Sequence, residues 1–243
     1  MTWRLLIFFN ALWLGAGNQT QPIRGGDVTG TVELANSSDP ATRRNHNYSG
    51  VILWLEPVVR PVTLQLAPQH ATMEQRNKMF SPHVLAITAG STVDFPNRDE
   101  IMHNVFSVAS GQQFDLSLYA GGQSRSVTFR YTGIARVYCN IHSTMSAIIA
   151  VLDTPWYAVT PASGKFVIPN VPPGDYVLHI FHERALQKNL EFLQHRITVS
   201  EEGLALPLIT VSETGYVQPP HPDKHGQPYP QLPRYPSSGG GGE

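Results

Sequence analysis

Between residues 79 and 153 the chain is written in short apolar runs, most of them bounded by turn residues. "MFSPHVLAIT", "STVDFP", "HNVFSV", "QFDLSLY", "SRSVTFRY", "IARVYC" and "SAIIAVLD" alternate, or run apolar, as strands do. "AGS", "NRDE", "SGQ", "AGGQ" and "TG" supply turns between most of them. No ten-residue stretch carries a helical period. Short strands at this spacing predict a closed β-sandwich over residues 72–153. Composition agrees, since charged residues make up 14% while Gly and Pro contribute 20 each. With 17 basic and 18 acidic residues there is no nucleic-acid footprint. No run of like charge forms a membrane-surface anchor.

Strand patterns also flank this block. "DVTGTVELA" and "GVILWLEP" precede it, separated by the polar, turn-rich "NSSDPATRRNHNYS", and "PVVRPVTLQLAPQHAT" reads as a connection. "WYAVT", "KFVIP", "DYVLHIFHE", "HRITVS" and "LPLITV" follow it, with one short helix expected around 184–193. Neither flank fills a sandwich alone. Residues 27–60 and 155–212 together give about 90 residues, close to the roughly 100 of a small sandwich domain. The expectation is one discontinuous sandwich into whose loop residues 72–153 are inserted, with the two connecting segments side by side. The alternative is two consecutive domains. Residues 213–243, rich in Pro, Gly and polar side chains, read as a disordered tail.

At the other end, Arg4, the apolar "LLIFFNALWL" and the small residues "GAG" make residues 1–17 a secretory signal. The run is short for a membrane span and Asn10 interrupts it; no later segment is long and apolar enough to cross. A periplasmic or secreted protein without a transmembrane segment in its mature chain is expected.

Export makes Cys139 conspicuous, because it is the single cysteine and an oxidising compartment favours pairs. It lies in "VYCNIHSTM", with His142 and Met145 at close spacing, and "IMHNVFS" offers His103 from a neighbouring strand. Two imidazoles, a thiolate and a weak thioether match a trigonal His-His-Cys copper site with a long axial Met contact. The thiolate and thioether suit Cu(I), imidazole suits both oxidation states, and a rigid β-scaffold limits rearrangement between them. Asn104 is placed to hydrogen-bond toward the Cys139 loop and tie the ligand segments together. A buried thiol with a core Met is the bland reading of each residue alone. Zinc is the next metal, although Met serves it poorly and closed structural sites carry more cysteines. A Cys-His nucleophile lacks a third orienting group.

These segments resemble the cupredoxins, the plastocyanin and amicyanin family. "HVLAITAGSTVDFPNRDEIMHNVFS" and "GIARVYCNIHSTMSAIIAVLD" carry the likeness. The C-x-x-H-x-x-M loop is similar to amicyanin's. The resemblance implies a Greek-key β-sandwich and one type 1 copper held by His103, Cys139, His142 and Met145. The flanks "GTVELA", "SGVILWLEP" and "TPASGKFVIPNVPPGDYVLHIFHE" resemble a carboxypeptidase regulatory-like, or transthyretin-like, sandwich. The whole layout is similar to bacterial exported proteins labelled methylamine utilisation or plastocyanin-like. The implied function is one-electron transfer with an unidentified redox partner protein and no turnover of its own. The alternative is a non-catalytic copper-binding or structural module. A copper oxidase would need more histidine clusters. In one departure, Ser143 and Thr144 follow His142, where blue-copper carriers present an apolar docking face; Ile101, Met102 and Ile141 are placed to restore it.

Other histidines carry less. His179 and His182, three apart on a strand, point to opposite faces and do not share a metal. His83 is near enough to approach the site, and His221 and His225 sit in the tail without a scaffold.

Overall fold

The computed structural model describes residues 25–59, 66–218 and 223–229. The signal reading of residues 1–17, His221 and residues 230–243 lie outside the described residues. The described residues are all-β apart from two short helices. They begin with β1 (Gly26–Ala35), α1 (Pro40–Asn45) and β2 (Ile52–Pro57). The central block holds β3 (His70–Thr72), β4 (Glu74–Arg76), β5 (Met79–Ser81), β6 (Val84–Thr88), β7 (Thr92–Pro96) and β8 (His103–Ser107). It continues with β9 (Phe114–Tyr119), β10 (Ser124–Thr128), β11 (Gly133–Tyr138) and β12 (Ser146–Leu152). Then come β13 (Tyr157–Val159), β14 (Lys165–Val171), β15 (Gly174–Phe181), α2 (Gln187–Glu191), β16 (His195–Val199), β17 (Leu204–Ala205) and β18 (Ile209–Ser212).

Hydrogen bonding sorts these strands into two sets. β1 pairs with β14, β17 and β18, and β2 lies between β13 and β15, so both early strands pair only with late ones. The central strands pair among themselves, in the orders β10-β7-β3 and β6-β12-β11-β8-β9 with β4-β5 beside them. Beside the connections to the central block, the Gln69 amide donates to the hydroxyl of Tyr157, the first residue of β13, at 2.7 Å, and the Leu55 N–H of β2 donates to the Trp156 carbonyl at 2.9 Å. Each set has its own core. Val28, Val32, Leu53, Leu55, Ile168 and Leu178 lead one; Val93, Phe95, Val105, Val137 and Ile149 lead the other.

Side-chain alternation explains why "SAIIAVL" is apolar throughout. Ala147, Ile149 and Val151 face the central core, while Ile148, Ala150 and Leu152 face the other way and pack with Ile52, Trp54, Tyr157, Val159 and Phe181. The strand is buried on both faces, as β2 is, with Leu53 and Leu55 on one side and Ile52 and Trp54 on the other. The joint between the two strand sets is therefore a third apolar cluster. Replacing Ile148, which is 2% exposed, by Ala should cost about 2–5 kcal/mol in urea unfolding. A change within about 0.5 kcal/mol would mean that the joint contributes as little as an ordinary surface site.

Three local expectations need correction. "MFSPHVLAIT" is two strands, because Pro82 has no N–H for the ladder and parts β5 from β6. The turn-rich stretch after β1 contains α1: Asp39 accepts the Thr42 N–H at 2.8 Å and Pro40 opens the helix. β3 lies within the segment read as a connection, paired with β7. The short helix expected around 184–193 is α2.

Candidate metal centre

His103, Cys139 and His142 converge at one end of the five-stranded sheet. β8 begins at His103, β11 ends at Tyr138 just before Cys139, and the two strands are paired through Phe106 and Tyr138. The loop then turns back to β12. It is closed by the Cys139 N–H donating to the Met145 carbonyl at 3.2 Å and the Met145 N–H to the His142 carbonyl at 3.0 Å. These bonds fix the backbone of Met145, which is fully buried in the same core as Cys139.

The Cys139 Sγ is 3.8 Å from His103 Nδ1 and 3.6 Å from His142 Nδ1, and all three donor atoms lie within 4.8 Å of one another. The rings stand edge to face, centroids 4.8 Å apart. Among the described residues this is the only such His, Cys, Asp and Glu cluster. Burial lowers the pKa of His142, aided by the neighbouring His103 and Lys78 and opposed by Asp99. A ring that resists protonation keeps its lone pair for a metal.

Asp99 went unnoticed in the sequence. Its Oδ2 lies 2.8 Å from His103 Nε2, and the same carboxylate accepts the Asn77 and Lys78 N–H groups. Burial alone would raise its pKa, but the hydrogen bonds from Lys78, His103 and Asn77 outweigh this and lower it. An ionised Asp99 accepts the Nε2–H of His103, which leaves Nδ1 unprotonated toward Cys139. Its loop is held by Asn97, whose side chain accepts the Asp99 N–H at 3.0 Å and donates to the Ile101 carbonyl at 2.8 Å. Gly121 makes room: a Cβ there would lie 2.1 Å from the Asp99 carbonyl oxygen. The sequence-level clue was the i, i+4 pair Asp99–His103 after an Asn turn.

Asn104 is buried between the start of β8 and the Cys139 loop. Its Oδ1 accepts the Asn140 N–H at 3.2 Å, and its Nδ2 donates to Asp115 at 2.7 Å. The segment set apart as a disordered tail also reaches here. Tyr229 donates its hydroxyl proton to the Cys139 carbonyl at 2.7 Å, the Lys224 N–H donates to Asn140 Oδ1 at 2.9 Å, and Lys224 Nζ pairs with Asp115 at 2.7 Å. Residues 223–229 thus lie on the Cys139–Met145 loop through hydrogen bonds to it, which a composition argument about core formation does not register. Glu213, the first tail residue, is buried as well.

His179 and His182 do not meet. The first pairs with Glu56 at 2.9 Å and stacks on Trp54; the second pairs with Glu213 at 2.9 Å. His83 contacts the Ser146 carbonyl, next to Met145. His225 sits in the turn beside Lys224, its N–H donating to Asp223. Ile101, Met102 and Ile141, next in the chain to His103 and His142, are exposed, as are Ser143 and Thr144.

Residues 68–152 match the family model of copper binding proteins of the plastocyanin/azurin family. With the sandwich and the converging donors, that match supports a copper-binding cupredoxin domain over this segment. Among solved structures, a purple cupredoxin from Nitrosopumilus maritimus is 23% identical, over 34% of this chain and 99% of that one, with a TM-score of 0.31. A reduced amicyanin variant is 24% identical, over 34% and 82%, with a TM-score of 0.32. A copper-containing nitrite reductase from Thermus scotoductus SA-01 is 25% identical over 50% of this chain and only 28% of its own, with a TM-score of 0.34. No curated protein matches the chain. No helix among the described residues is long and apolar enough to cross a membrane.

Proposed function

We propose that this is an exported protein that holds one type 1 copper and carries single electrons between partner proteins, with no substrate turnover of its own. The observation that carries the reading is the convergence of one sulfur and two imidazole nitrogens within 4.8 Å, with the buried Met145 closing the same loop. The donor chemistry fits copper: a soft thiolate, two imidazoles and a weak thioether form the trigonal-plus-axial set. His103, Cys139 and His142 would hold the ion and Met145 would be its long contact; copper, when bound, supplies the Cu(II)/Cu(I) couple. The chain's own part is to keep the donors still. Asp99 fixes the tautomer of His103, Asn104 joins the β8 end to the Cys139 loop, and two backbone bonds close that loop. Limited rearrangement between oxidation states favours fast transfer.

The domain reading belongs to the same proposal. Residues 27–60 and 155–212 form a discontinuous sandwich, of the carboxypeptidase regulatory-like kind, with residues 72–153 inserted. Exclusive pairing of β1 and β2 with late strands supports it, as does the hydrogen bond from Gln69, in the first connection, to Tyr157 at the start of β13. Partners would approach His142, which is partly exposed between Ile141 and the polar Ser143 and Thr144. That polar tip favours a second reading, a copper-storing or copper-delivering module.

The test is to add Cu(II) to the purified protein and record its visible spectrum and voltammetry. Intense thiolate-to-copper absorption with a fast, reversible response is expected. A colourless protein that takes up only zinc would sink the copper reading; a blue protein with a sluggish response would favour the second. Within this reading Asp99→Ala should weaken copper affinity about 10–100-fold, the usual cost of losing the carboxylate that orients a ligand histidine. Competition against a chelator measures it, and unchanged affinity would show that Asp99 does not orient the ring.

A further inference from the structure

His83, between β5 and β6, faces an acceptor with each ring nitrogen. Nδ1 lies 3.0 Å from the carbonyl oxygen of Ser146, the residue after Met145. Nε2 lies 2.7 Å from Oε1 of Glu183, which follows β15 in the other strand set. A carbonyl and a carboxylate only accept, so both contacts are hydrogen bonds only when the ring carries both protons. The His83 carbonyl accepts the Ile148 N–H at 2.9 Å, which fixes the ring's backbone to β12. Glu183 is braced in turn. Arg184 lies 3.7 Å from it and is anchored on Glu213. A cleft of about 450 Å³ opens onto His83, Glu183, Thr144 and Ser146, so solvent reaches the ring and the metal loop together.

We propose that His83 is a positioning residue for the Met145 end of the copper loop, tying it to the flanking sandwich through Glu183, with one proton deciding whether the tie is made. The proposal rests on the copper reading, but the tie itself can be tested without copper. The charged and titratable groups lining the cleft around the ring are Glu183, Arg184, Asp39 and Tyr216. The hydrogen bond from Glu183 raises the pKa of His83 above its ordinary 6.5; burial opposes this, the Ser146 carbonyl adds to it and Arg184 subtracts. A raised folded-state value means the tie is complete below about 6.5 and is lost as pH rises through the folded value. When one proton leaves, Glu183 retains the other on Nε2. The Nδ1 lone pair then faces the Ser146 oxygen, and the loop is released rather than the carboxylate. Small movements of a weak axial sulfur tune a copper potential.

The experiment labels the methionine methyl groups with carbon-13 and follows the Met145 resonance by NMR in the Cu(I) protein between about pH 5 and 8. Met145→Leu assigns the signal. In the native protein it should move as a one-proton titration with a midpoint above 6.5, and the reduction potential should move with the same midpoint. His83→Gln should abolish both movements. His83→Arg, which donates to both acceptors without titrating, should be flat and stay near the low-pH native position. A flat native signal, or a titration that survives in His83→Gln, would overturn the proposal. The native-minus-H83Q comparison is repeated on the metal-free protein. Failure to bind copper would then defeat the copper reading alone, while the tie stands or falls on the methyl shift.

Discussion

Cys139→Ser loaded with Cu(II) is expected to lose the intense visible band completely while keeping the fold. The band requires electron transfer from a thiolate sulfur to copper, and the chain has one sulfur able to ionise, 3.6 and 3.8 Å from the two imidazole nitrogens. Serine has nearly the same shape but is a hard donor that stays protonated at neutral pH, so His103 and His142 would be left with a weak, colourless association. Cu(I) affinity should fall by more than the roughly 10–100-fold that follows loss of an orienting group, since a ligand itself is gone. Burying a hydroxyl where the thiol is fully buried should cost about 1–3 kcal/mol in the metal-free protein. Circular dichroism should otherwise match. Met145→Leu is the useful contrast. Without the thioether the blue band should survive and the potential rise, because losing a donor penalises the electron-poor Cu(II) state more than Cu(I). Intense absorption surviving in Cys139→Ser would place the chromophore elsewhere.

How far the sequence reached follows from how local each feature is. "CNIHSTM" announces its own loop, because the two backbone bonds that close it join residues at most six apart. His103 was reachable one step further, from a strand that had to lie nearby. Asp99 was not. Its carboxylate meets His103 only because Asn97, Gly121 and the Asn77–Lys78 amides shape its loop, and three separate segments must fold first. The same holds for Tyr229, 90 residues from the carbonyl it meets. In the fold, β12 was legible as a strand, but its burial on two faces was not. An apolar run reads alike whether it fills one core or joins two.

Glu213→Ala should destabilise the protein by about 3–5 kcal/mol, the usual consequence of removing one partner from a buried ionic network. Glu213 is 3% exposed and follows β18 directly. Its carboxylate accepts from His182 at 2.9 Å, from Arg184 Nε at 3.1 and 3.2 Å and from Ser37 at 2.6 Å, while its N–H donates to the Ala35 carbonyl. Burial pushes the carboxyl pKa up, yet the hydrogen bonds from His182, Arg184 and Ser37 win and hold it at about 2, against an ordinary 4.5. A depressed folded-state value contributes stability that is complete above about 4.5 and disappears as pH falls toward about 2. The difference corresponds to about 3 kcal/mol. Urea unfolding across that window should show the native protein weakening more steeply than Glu213→Gln, which keeps an acceptor oxygen but has no charge to lose. Superimposable acid profiles would show that the charge contributes nothing.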